Sequence, residues 1–124
     1  MKKLIALLTM SLSITVAGSA LAHGAKAKHG GIVATASDLQ FELVNKNDKP
    51  VIYVEDHGQK MPTAGATGKL TVLKGTEKSE FALQPVDENA FVANGDVKLT
   101  AGSKAVAAIT FADKKAVTVR FSVK

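Results

Sequence analysis

Only three side chains in this sequence, His23, His29 and His57, carry imidazole, and none sits inside an apolar run. Cysteine is absent, so a metal ion would have to be held by imidazole, thioether, carboxylate or the free amino terminus. His23 follows directly on Ala20-Leu21-Ala22, whose small-x-small pattern suits a signal peptidase. Cleavage there gives His23 both an α-amine and an imidazole, which can close a chelate ring on Cu(II), Ni(II) or Zn(II). The α-amine has an ordinary pKa of about 8 and gives up its proton readily when a metal competes. His29 follows across Gly24-Ala25-Lys26-Ala27-Lys28. His57 stands beside Asp56, with Met61 a few residues later. Together these three make a mixed donor set, and thioether favours Cu(I). The candidate metal ligands are therefore His23, His29, His57, Met61 and Asp56. The same residues also fit as solvated polar groups on a tail and a turn, and the lysines near His29 weakly repel cations. The sequence leaves both readings open.

Other chemistry finds little support. There is no Gly-x-Ser-x-Gly elbow and no His-Glu-x-x-His. Gly65-Ala66-Thr67-Gly68-Lys69 has the wrong spacing for a phosphate loop, and Leu70 stands where a hydroxyl would be needed. Glu55-Asp56-His57 could be combined with a serine on paper, but nothing else in the chain supports a triad. The chain is not expected to be an enzyme.

The elements that carry these residues divide into three. Met1-Lys2-Lys3 is a positive start, Leu4 to Val16 is mostly apolar, and Gly18 to Ala22 is small and short. Residues 1–22 read as a secretory signal peptide that is cleaved, and the apolar run is short for a membrane span. No lipobox cysteine follows. The expected location is the periplasm, with no membrane-spanning segment after cleavage. Residues 23–30 lack apolar periodicity and read as a flexible arm, and residues 31–124 read as one domain. Loss of Lys2 and Lys3 lowers the formal charge from +5 by two. The remaining lysines are dispersed around a single arginine, Arg120, unlike the clustered basic surface that nucleic acid requires.

From Gly31 onward the pattern is short alternating runs broken by turn residues, the signature of an all-β domain. Ile32 to Ala34 is a short strand. Leu39, Phe41 and Leu43 alternate with Gln40 and Glu42. Val51 to Val54 follows the Asn45–Asp48 turn, and His57-Gly58 turns the chain again. Residues 61–68 read as a loop without a core signal. Strands are expected at Lys69–Leu73, Lys78–Leu83, Phe91–Ala93, Val97–Leu99 and Ala105–Phe111. Val117, Val119, Phe121 and Val123 make the clearest period-2 run. The expected core is Phe41, Leu43, Ile52, Val54, Leu70, Val72, Phe81, Leu83, Ile109, Val117, Val119 and Phe121, with Thr118 and Arg120 facing water. The expected architecture is an immunoglobulin-like β-sandwich of seven or eight short antiparallel strands, with a small β-barrel as the alternative. Pairing the first three strands as successive hairpins would place His29 and His57 at opposite ends of strands about 20 Å long. His23 is freer to move, and a site that joins all three histidines then needs the arm to double back, a first strand that is not part of a hairpin, or a second molecule.

His29-Gly30-Gly31, the strand Leu39-Gln40-Phe41-Glu42-Leu43-Val44 and the run Tyr53-Val54-Glu55-Asp56-His57-Gly58-Gln59-Lys60 together resemble a known pattern. The chain is similar to small periplasmic proteins, and to the N-terminal domains of periplasmic adaptor subunits, of heavy-metal efflux systems of the resistance-nodulation-division type. The likeness is best over residues 29–73. It implies an extracytoplasmic β-sandwich that handles copper, zinc, nickel or cobalt, with His29 as the metal contact and His57 as a second. The chain lacks the lipoyl-like and coiled-coil segments of the adaptors. A looser resemblance is to periplasmic copper-resistance carriers, whose second histidine follows the first more closely. The expected function is a periplasmic carrier or buffer for copper or another divalent cation, associated with heavy-metal homeostasis and with an efflux complex as the candidate partner. The alternative is an immunoglobulin-like interaction module, without metal, that docks on a membrane complex.

Overall fold

The computed structural model describes residues 26–46 and 49–124. The expected signal peptide, His23, and the Asn47-Asp48 part of the second turn lie outside these residues.

Alternation of apolar and polar residues builds nine antiparallel strands: β1 (Ile32–Ala36), β2 (Leu39–Lys46), β3 (Lys49–Asp56), β4 (Gln59–Lys60), β5 (Thr67–Lys74), β6 (Glu77–Val86), β7 (Ala90–Ala93), β8 (Lys104–Thr110) and β9 (Ala116–Ser122). Eight of them form one continuous path, β1-β2-β3-β7-β6-β5-β8-β9, and the two-residue β4 pairs with the end of β3. The path curls so that β9 packs beside β1. No ladder joins that pair among the described residues. The all-β expectation holds. One sheet turning almost full circle corresponds to the barrel alternative rather than to two packed sheets.

The inward face is continuous and apolar. Of the twelve residues expected in the core, eleven are buried, and Phe81 is partly buried against them. Thr118 and Arg120 face water as expected. Two crossing segments supply core that alternation does not reveal. Residues 61–66 run from β4 to β5 and contribute Ala66 and the fully buried Thr63. The Thr63 hydroxyl donates to the Ala90 carbonyl at 3.0 Å, which satisfies it inside the barrel. Residues 94–103 run from β7 to β8, and there the expected Val97–Leu99 strand is irregular backbone. Val97 is nonetheless buried. Among the described residues its short apolar run pairs with no strand, and it lies in the crossing from β7, between β3 and β6, to β8, beyond β5. Among the described residues no helix is long and apolar enough to cross a membrane.

Candidate functional site

The site is laid out by register on the outward face. Glu42 of β2 lies between Val33 of β1 and Tyr53 of β3, and Gln40 lies beside Glu55. Period-2 alternation turns all of these away from the core. Glu42 is nevertheless buried, 7% exposed, because the arm crosses over it. Its carboxylate accepts backbone N–H groups from Lys28 at 3.0 Å, His29 at 2.8 Å and Gly31 at 2.8 Å. The imidazole Nδ1 of His29 lies 3.0 Å from the same carboxylate. The Lys28 ammonium pairs with Glu55 at 2.9 Å.

Two glycines let the arm make this turn. Gly30 takes a left-handed φ of 73°, which helps consecutive N–H groups converge on one anion. Gly31 passes so close to β2 that a Cβ would collide with the Leu43 carbonyl and lie 2.8 Å from the Val44 side chain. Lys28, His29 and Gly31 thus form a backbone cradle for the Glu42 carboxylate, and residues 28–31 are held against the sheet.

The His29 ring lies flat on Tyr53, with centroids 3.8 Å apart and planes 7° from parallel. Its side chain is 40% exposed. It lines an open groove shared with Tyr53, Glu55, Lys60, Glu88 and Asn89. Lys60 and Glu88 pair across this groove at 3.0 Å, and the Glu88 carboxylate raises the Lys60 pKa. Asn89 is held from behind, its amide donating to the Val54 carbonyl at 3.0 Å.

The other expected ligands are placed differently. His57 and Gly58 form the two-residue turn between β3 and β4, both with positive φ. The His57 side chain is 81% exposed, and its Nδ1 lies 2.6 Å from Asp56. Met61 is partly buried against the core, so its thioether belongs at least in part to packing. The hairpin pairings of β1, β2 and β3 are those expected, and the arm does turn back across them, since Lys28 reaches Glu55 near the end of β3. This brings the arm toward the end of the strand that carries Asp56 and His57. Among the described residues, however, no three His, Cys, Asp or Glu side chains are grouped closely enough to hold a metal ion. His23 lies outside the described residues.

No protein-family model, no curated protein and no solved structure matches this chain.

Sequence reasoning missed Glu42 and Tyr53 as parts of the site. One signal was available: a carboxylate and an aromatic at outward positions of adjacent strands, following two consecutive glycines. What joins them to His29 is cross-strand register, which the local pattern does not carry.

Glu42 also makes stability depend on pH. Burial by itself would raise its pKa. The hydrogen bonds from the His29 ring and from the N–H groups of Gly31, His29 and Lys28 outweigh that effect, and the net shift is downward from the ordinary 4.5. A carboxyl with a depressed pKa in the folded state stabilises the fold fully above its unfolded value. That contribution is lost as pH falls through the folded value. Urea midpoints should therefore fall more steeply below about pH 4.5 in the natural chain than in Glu42→Gln. Parallel curves would show that Glu42 has no linkage to folding.

Proposed function

We propose that this chain is a periplasmic binding protein for copper or another divalent cation, a carrier or buffer in heavy-metal homeostasis or efflux, with His29 as its anchoring ligand. The observation that carries this reading is the pose of His29. A half-exposed imidazole is held flat on Tyr53 at the edge of an open groove with charged residues along it. Holding a ligand in one orientation before the metal arrives lowers the ordering cost of binding.

One imidazole does not make a site, and the remaining donors are proposed from the sequence. His23 supplies an amine and an imidazole, and three residues of chain from Lys26 reach at most about 11 Å. His57 and Asp56 stand at the end of β3, toward which the arm runs. Met61 joins only if its loop releases it from the core. Copper fits the nitrogen donors best, with zinc, nickel and cobalt as alternatives.

The test is substoichiometric Cu(II) or Zn(II) added to protein that begins at His23, followed by imidazole NMR. His29 and His23 should respond together. Extending the N-terminus by one residue, or changing His29 to alanine, should weaken binding. Perturbation confined to His57, or no saturable binding, would overturn the assignment.

A second reading rests on a different observation. Among the described residues β1 and β9 lie side by side without pairing, in a sheet that is otherwise continuous. Unpaired strand edges invite β-augmentation. A module that docks on a membrane complex through such an edge would be indifferent to both changes at the arm.

A further inference from the structure

We propose that Glu42 is a positioning residue that holds His29 as the Nδ1-protonated tautomer and so presents the Nε2 lone pair to the groove. The inference rests on the metal-binding reading for its functional consequence, but the tautomer itself is a property of the metal-free protein.

Three backbone N–H groups, from Lys28, His29 and Gly31, point at one buried carboxylate, and the ring nitrogen Nδ1 of His29 lies 3.0 Å from it. An ionised carboxylate only accepts, so the ring nitrogen facing it must carry the proton. The two imidazole nitrogens diverge across the ring, so Nε2 faces away from Glu42 and is left unprotonated in the neutral ring. An unprotonated imidazole nitrogen is the form that binds a metal, and a carboxylate behind the other nitrogen fixes the tautomer and orients the ring. The Tyr53 stack fixes the plane of the ring but cannot choose between its nitrogens, since a π-face contacts both alike. That choice falls to Glu42.

Glu42→Gln separates positioning from packing. The variant keeps the shape and one acceptor oxygen but replaces the other oxygen with an amide NH2. The remaining oxygen is claimed by the His29 and Gly31 N–H groups, and the amide takes the place of the oxygen that Nδ1 shares with the Lys28 N–H. An NH2 facing His29 Nδ1 favours the unprotonated nitrogen there and moves the ring proton to Nε2, which blocks the coordinating position. Tyr53→Leu removes the stack and leaves the carboxylate.

The experiment is long-range 1H–15N correlation on metal-free protein at about pH 8.5, roughly two units above the ordinary imidazole pKa. The natural chain and Tyr53→Leu should both show His29 protonated at Nδ1, and Glu42→Gln should move toward Nε2–H. Cu(II) or Zn(II) affinity should fall by about 10- to 100-fold in Glu42→Gln, as for other outer partners of metal ligands. An Nε2–H tautomer in the natural chain would overturn the proposal, and that measurement holds even if a variant fails to fold. An unchanged tautomer in folded Glu42→Gln would overturn it too. Absence of metal binding by the natural chain, with the Nδ1–H tautomer observed and lost in Glu42→Gln, would instead sink the functional reading and leave the positioning role in place.

Discussion

Truncating Phe121 to alanine should lower the stability of the domain by about 3–5 kcal/mol. The ring projects inward from β9 and is 1% exposed. Its register partner on β8 is Ala105, itself fully buried and too small to fill the space a lost ring would leave. The loss combines the transfer of a large apolar group with the cavity that rigid strands on either side cannot close. A domain of about a hundred residues has a total stability of roughly 5–15 kcal/mol, so this single change removes a large fraction of it. Urea denaturation followed by circular dichroism measures the loss directly. Arg120→Ala, one residue away on the outward face, should change stability by no more than about 0.5 kcal/mol. Comparable losses at both positions would mean that β9 does not have one face in the core and one in water.

Gly31→Ala should cost about 2–3 kcal/mol and release the arm, through overpacking against backbone that cannot move aside. The added methyl meets the Leu43 carbonyl and the Val44 side chain, and Leu43 pairs with Ile32 in the β1–β2 ladder. Relief of the clash must separate β1 from β2 or lift residues 28–31 away from Glu42. Either movement breaks the N–H bonds to the carboxylate and the stack on Tyr53. Ring-current shifts at His29 and amide exchange at Lys28, His29 and Gly31 report that release independently of global stability. Gly30→Ala is the contrasting case. It has open space around its Cβ position but a left-handed backbone, so the expected cost is about 1–2 kcal/mol from strain alone. Gly30→Asn should be milder, because asparagine tolerates that conformation. A neutral Gly31→Ala would show that the arm does not approach β2 as described.

Period-2 alternation made the all-β class and the inward face legible without a structure. Alternation is a property of the extended backbone, which turns successive side chains to opposite sides whatever lies beyond them. Leu39, Phe41 and Leu43 on β2 and Val117, Val119 and Phe121 on β9 therefore declared their burial in the chain itself. So did the His57-Gly58 turn, since a two-residue hairpin requires positive φ and glycine supplies it readily. The candidate ligands were legible as residue types, because coordination chemistry depends on which donors exist.

Closure and the site itself were decided by contacts between distant residues. Nothing local distinguishes a sheet that curls until β9 meets β1 from two sheets packed face to face, because both bury the same alternate residues. The buried Thr63 and Val97 belong to crossing segments with no periodicity, and their burial follows from where β5 and β8 stand relative to the strands before them. Glu42 shows the difference most sharply. Alternation assigns it to water, and it does face away from the core, yet the arm covers it and turns three backbone N–H groups and an imidazole onto its carboxylate. His29, two glycines, an outward glutamate and an outward tyrosine stand in this order along the chain whatever the fold. That they meet follows from long-range pairing, because the register of β1, β2 and β3 and the path of the arm depend on contacts across the fold rather than on neighbours along the chain.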